Sequence, residues 1–197
     1  MYLIKKLSVV CLFTFIMSTA WASTEPAVKV QVVFEKITAE LKRFDSQGQL
    51  QRDNTLIVLE QFLKPEIEEK YFAYKVLALQ LKKLSAEQKT QMIELLLKML
   101  MNNYAGLLEK YDNERIVIGE TEFGNKLKTA EVAFVIKRVQ QDIKAKVKLI
   151  KDPNEQWKFY DIEVEGISLV TSKQAEINAS FSSLGIEGTI AKLKSKV

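Results

Sequence analysis

QWKFYDIEVEGISLV, residues 156 to 170, is the stretch that decides how this chain is read. Its first half alternates apolar and polar residues with period two. Tyr160, Ile162 and Val164 fall on one side, Asp161 and Glu163 on the other, as in a half-buried strand. After Glu165 and Gly166 the charges stop, and Ile167, Ser168, Leu169 and Val170 follow. The pattern predicts that the strand leaves its sheet at Gly166. The apolar residues beyond it then close one end of an interior, or cross buried to a last helix.

Upstream of this strand the same period recurs. Residues 129–138 put Ala130, Val132, Phe134 and Ile136 on one face. Residues 142–151 put Ile143, Ala145, Val147 and Leu149 opposite Lys144, Lys146 and Lys148. Short polar turns at 139–141 and 152–154 make these strands an antiparallel meander, with a first short strand over 116–118.

Before Tyr111 the period is helical. Met92, Leu95, Leu96, Met99, Leu100, Tyr104, Leu107 and Leu108 form one stripe behind a capping box made by Ser85 and Gln88. Earlier helices are predicted over 26–43, 54–63 and 66–81, the last with Ile67, Tyr71, Val76 and Leu77 inward. Thr171 and Gln174 are placed to cap a helix ending near Gly185, and a short final helix carries Ile190 and Leu193. Helices, then a meander, then closing helices make an α+β chain with one sheet face covered and the other in water.

Lys5 and Lys6 followed by the uncharged run Leu7 to Ala20 and by Ala20-Trp21-Ala22 read as a cleavable signal peptide, residues 1–22. The run is shorter than the roughly 20 residues that span a bilayer. Residues 23–197 are then one domain, with its helical part over about 26–111, its sheet over about 115–166 and its closing helices over about 172–196. Cleavage removes Cys11, the sole cysteine, and leaves 27 basic against 25 acidic residues, with no histidine anywhere. A secreted chain without disulfides is held by packing alone, which suits a bacterial periplasm. The near-balanced charge argues against a nucleic-acid partner. Missing His and Cys close the Ser-His and Cys-His nucleophile systems and the usual zinc sites, so no enzyme activity is expected. Lys144, Lys146 and Lys148 form a basic row that either steers the protein toward anionic groups or is simply a solvated face.

Trp157-Lys158-Phe159-Tyr160-Asp161-Ile162 and Val164-Glu165-Gly166-Ile167-Ser168-Leu169-Val170 together resemble the WKVYDV-x-VEGVSLV signature of the MlaC family. Its members are periplasmic phospholipid carriers of Gram-negative bacteria, also described as toluene-tolerance auxiliary components of ABC transporters. Leu84-Ser85-Ala86-Glu87-Gln88 and the helix ending in Tyr104 are similar to that family's LS-x-EQR segment and leucine-rich helix. The likeness runs from about Val28 to Leu193. The chain departs from it at Ala78 and Leu81, where the family has Gly-x-x-Trp, at Glu68, and at Ser172, Lys173 and Gln174 in place of Asn-Tyr-Arg.

The resemblance implies an NTF2-like or cystatin-like sheet with a small helical lobe. It also implies a monomer that carries phospholipid as cargo and needs no cofactor. The cargo would pass between the substrate-binding ring of an inner-membrane ABC transporter and an outer-membrane lipoprotein and porin assembly. Its lipid-binding wall would comprise Val132, Phe134, Ile136, Ala145, Val147, Tyr160, Ile162 and Val164 of the sheet, with Ile167 and Leu169 beyond it. These would face Tyr71, Val76, Leu96, Leu100 and Tyr104 of the helices. Exposing two acyl chains of roughly 30 methylenes costs on the order of 20 kcal/mol, so transfer through water calls for such a shelter. The same residues would also fill a solid core. A periplasmic interaction or scaffold subunit without lipid is therefore the alternative.

Overall fold

The computed structural model describes residues 25–197, so the signal-peptide reading of residues 1–22 lies outside the described residues. Helix α1 spans Glu25–Ser46, and its buried Val30, Val33, Ile37 and Leu41 repeat at helical spacing. Then come α2 (Arg52–Phe62), a 3-10 turn at Lys64–Glu66, α3 (Glu69–Leu77), a 3-10 segment at Ala78–Lys83 and α4 (Ala86–Leu108). The capping box forms as the spacing predicts: Gln88 N–H donates to Ser85 Oγ at 3.1 Å, and Ser85 N–H to Gln88 Oε1 at 2.9 Å.

Strands β1 (Arg115–Phe123), β2 (Thr129–Lys137), β3 (Ile143–Lys151), β4 (Trp157–Val164) and β5 (Ile167–Ser168) pair in chain order as one antiparallel meander. Helix α5 (Leu169–Lys194) closes the chain and is broken at Gly185, whose φ of 65° lies outside helical geometry. The α+β meander with a helical lobe is therefore the observed fold. β1 is longer than the expected 116–118, because it continues through an irregularity between Ile118 and Thr121.

The strand that opened the sequence reading carries a bulge. Lys148 pairs with Asp161 while Leu149 pairs with Phe159, which leaves Tyr160 as the extra residue. The bulge resets the alternation. Trp157 and Phe159 before it, and Ile162 and Val164 after it, all join the same apolar layer as Leu149 and Val147. Unbroken period two would have separated the two pairs, so the expected grouping of Tyr160 with Ile162 and Val164 is corrected.

At the end of β4, Glu165 and Gly166 both take positive φ, 49° and 80°, and form the two-residue turn into β5. Ser168, and not Thr171, caps α5: its hydroxyl accepts from Thr171 N–H at 3.1 Å.

Two apolar cores result. One lies between α1 and the sheet and holds Val30, Val33, Leu41, Val132, Phe134, Val147, Leu149 and Trp157. The other lies within the helical lobe, where α3, α4 and α5 bury Phe72, Val76, Met92, Leu96, Ile177 and Ile190. The lobe meets the sheet at β4, where Glu68 N–H donates to the Phe159 carbonyl at 2.8 Å.

Candidate functional site

Helix α1 crosses the apolar face of the sheet from the β4 corner to the start of β1. Lys29 and Lys158 both pair with Glu66 at the first corner. At the other, the Asn113 side chain donates to Asp45 Oδ2 at 3.5 Å. Midway, the Phe34 and Phe134 rings meet edge to face, with centroids 5.0 Å apart. Beside this contact a groove of about 750 Å³ opens between α1 and β1. Phe34, Ile116 and Ile118 give it an apolar floor, while Gln31, Glu35, Thr38, Lys42, Asn113, Glu114 and Arg115 stand around it. Its size falls within the roughly 300–1,000 Å³ of small-molecule sites.

The fifteen residues expected to form one wall occupy four places. Val132, Phe134, Ile136, Ala145, Val147, Ile162 and Val164 lie together in the layer under α1. Val76, Leu96, Leu100, Tyr104 and Leu169 belong to the helical-lobe core, away from that layer. Tyr71 and Tyr160 meet edge to face at 5.0 Å where the lobe touches β4. Ile167, at the hairpin, is 68% exposed and closes nothing. The sheet thus faces α1, whose Val30, Val33, Ile37 and Leu41 pack in that layer, and not α3 and α4, whose apolar residues pack with α5 in the lobe core. The sequence reading missed Phe34, Ile116 and Ile118 as groove residues and Tyr111 beside them. It also missed Trp157 and Phe159. The change of phase between the W-x-F and I-x-V runs was the available signal for those two.

Asp161 does not sit on a wet face. It is buried, and its carboxylate accepts from the Ser168 hydroxyl at 2.7 Å and from Val170 N–H at 3.0 Å. Lys148 lies 3.4 Å from Asp161 and 3.2 Å from Glu163, and Lys146 pairs with Glu131. Burial pulls the Lys148 ammonium down, but the Glu163 and Asp161 carboxylates outweigh it and hold it above the ordinary lysine value. The basic row is therefore largely interlocked with acids on the far face of the sheet. Tyr104 is pushed well above the usual phenol range, first by burial and then by the Asp161 charge.

Among the described residues, no group of three or more His, Cys, Asp or Glu is arranged to hold a metal ion. Nor is any helix there long and apolar enough to cross a membrane.

Fold and groove together define an α+β binding scaffold whose apolar layer opens to solvent along one helix-strand seam. The family model for MlaC protein matches residues 31–195, and the chain belongs to the MlaC family. It is 25% identical over 181 residues, 89% of this chain and 84% of the other, to the intermembrane phospholipid transport system binding protein MlaC of Haemophilus influenzae. Its fold is similar to that of a phospholipid-binding protein from Ralstonia solanacearum, solved in complex with a phospholipid. The TM-score is 0.78 at 18% identity, covering 86% of this chain and 95% of that one.

Proposed function

We propose that this protein is a non-catalytic phospholipid carrier acting in the periplasm. The groove between α1 and β1 carries the reading: it leads from solvent to the apolar layer, reaching it at Phe34, Ile116 and Ile118. The acyl chains would lie on the sheet against Val132, Phe134, Ile136, Val147, Ile162 and Val164. Those side chains are packed against α1 when the site is closed. Entry of the tails therefore requires α1 to swing outward, exchanging its own apolar contacts for those of the lipid. The exchange is inexpensive, since dispersion and desolvation are non-directional and one oily surface replaces another. Family membership and the two named relatives support the same cargo. An inner-membrane ABC transporter ring and an outer-membrane lipoprotein and porin assembly are the two stations between which this reading has the carrier shuttle.

Native mass spectrometry of the purified mature chain, with a parallel lipid extract, tests it. A diacyl phospholipid retained through gentle purification is the expected result. Lipid-free protein that also takes none from vesicles would favour the filled-core scaffold instead.

A further inference from the structure

The geometry points to a phosphodiester contact at the rim of the α1–β1 groove, made by Lys42, Arg115 and the Tyr111 hydroxyl. It rests on the carrier reading and adds to it which part of the lipid the protein recognises.

Lys42 and Arg115 stand apart from the other charged groups around the groove. Of its carboxylates, Glu114 is held by the Arg138 guanidinium at 3.0 Å and by Asp112 N–H at 2.9 Å. Glu35 accepts from the Gln31 amide at 2.8 Å. Asp45 beyond the rim accepts from Asn113. Its two cations, Lys42 and Arg115, have no ion-pair partner among the described residues. Arg115 also stands opposite Lys137 in register, and Lys137 is already bound to Asp142. Each carboxylate at this mouth is thus engaged by a donor, whereas neither cation is engaged by an anion.

Tyr111 is the second, independent observation. Its hydroxyl is buried in the groove wall and has no hydrogen-bond partner. A buried unpaired donor is costly to keep, and a phosphate oxygen is a strong acceptor for it. Burial, with Glu114 and Asp45 adding to it, pushes the phenol above its ordinary value, so it stays protonated and able to donate. The apolar floor below favours a phosphate attached to acyl chains over a free anion. The Lys144, Lys146 and Lys148 row, though more conspicuous in sequence, is tied to Glu131, Asp161 and Glu163 at two of its three positions.

The test offers the mature protein vesicles containing phosphatidylglycerol or diacylglycerol, re-isolates it and quantifies retained lipid by mass spectrometry. Wild type should take up both. Lys42→Gln with Arg115→Gln, both exposed positions, should cut phosphatidylglycerol retention roughly fivefold at low salt and leave diacylglycerol unchanged. High salt should shrink the difference. Lys146→Gln, on the far face, should change neither. Tyr111→Phe should lower phosphatidylglycerol retention without lowering Tm, since the hydroxyl it removes has no partner to lose. Inorganic phosphate alone, followed by phosphorus NMR, should not bind; binding as tight as the lipid's would overturn the lipid assignment. Equal losses of both lipids, or no loss, in the double variant would overturn the contact while leaving the carrier intact. Wild type that takes up neither lipid would bring down the carrier reading and this contact together.

Discussion

Replacing Asp161 by alanine should destabilise the protein by about 3 kcal/mol, because this one carboxylate joins the sheet to α5. It accepts from the Ser168 hydroxyl and from Val170 N–H, two donors at the first turn of α5. Val170 is buried, so losing the acceptor strands a backbone donor at a cost of about 1–3 kcal/mol. Freeing Ser168, which itself caps the helix, adds about 1 kcal/mol. The Lys148 contribution is smaller, at most about 1 kcal/mol, since that ammonium keeps Glu163 at 3.2 Å. Asp161→Asn should cost only about 1 kcal/mol. Its amide oxygen can still accept from Val170 N–H and its nitrogen can donate to Ser168 Oγ. Urea unfolding followed by far-UV circular dichroism, extrapolated to water, measures both, and Ser168→Ala completes a double-mutant cycle. An alanine variant within about 0.5 kcal/mol of wild type, or an asparagine variant as damaged as the alanine, would refute the reasoning.

Ala78 ends α3 at φ 44° and ψ −119°, a conformation suited to glycine, the residue the family resemblance expects there. Ala78→Gly should therefore stabilise by about 1 kcal/mol after the entropy cost of glycine, raising Tm by about 2–4 °C in a thermal melt; a lower Tm would refute the strain. Tyr104 has a raised folded pKa, so its contribution is intact below the ordinary tyrosine value near 10 and is lost as pH rises above it. Alkaline unfolding of Tyr104→Phe should accordingly show a shallower loss of stability above pH ~10, and parallel curves would contradict this. Ile118→Arg places a charge on the half-buried groove floor and should lower lipid occupancy at least about tenfold with Tm nearly unchanged; full occupancy would mean the tails enter elsewhere.

How far the sequence reached is clearest at particular elements. Local signals sufficed where the information is local. The Ser85–Gln88 capping box and the switch from period 3.6 to period 2 after Tyr111 each depend on a few consecutive residues, whereas the strand expected to leave the sheet at Gly166 instead turns back there to pair as β5. Of the candidate wall, Val132, Phe134, Ile136, Ala145, Val147, Ile162 and Val164 were legible as one apolar face because alternation and register fix that face. What covers the face was not legible, since α1, α3 and α4 each carry an apolar stripe and periodicity reports burial without naming the partner.

The sequence by itself therefore determined the α+β order of elements, the meander, the sheet's apolar side and the signature that places the chain in its family. Only the tertiary structure decided that α1 is the helix lying on that side. It alone showed that Tyr160 is bulged out so that Trp157 and Phe159 rejoin Ile162 and Val164. It likewise showed that Asp161 is buried against the start of α5, and that a groove opens along the α1–β1 seam. These outcomes depend on which surfaces compete for one another and on a one-residue slip between strands. Both are settled by packing across long stretches of chain, and neither leaves a mark at any single position.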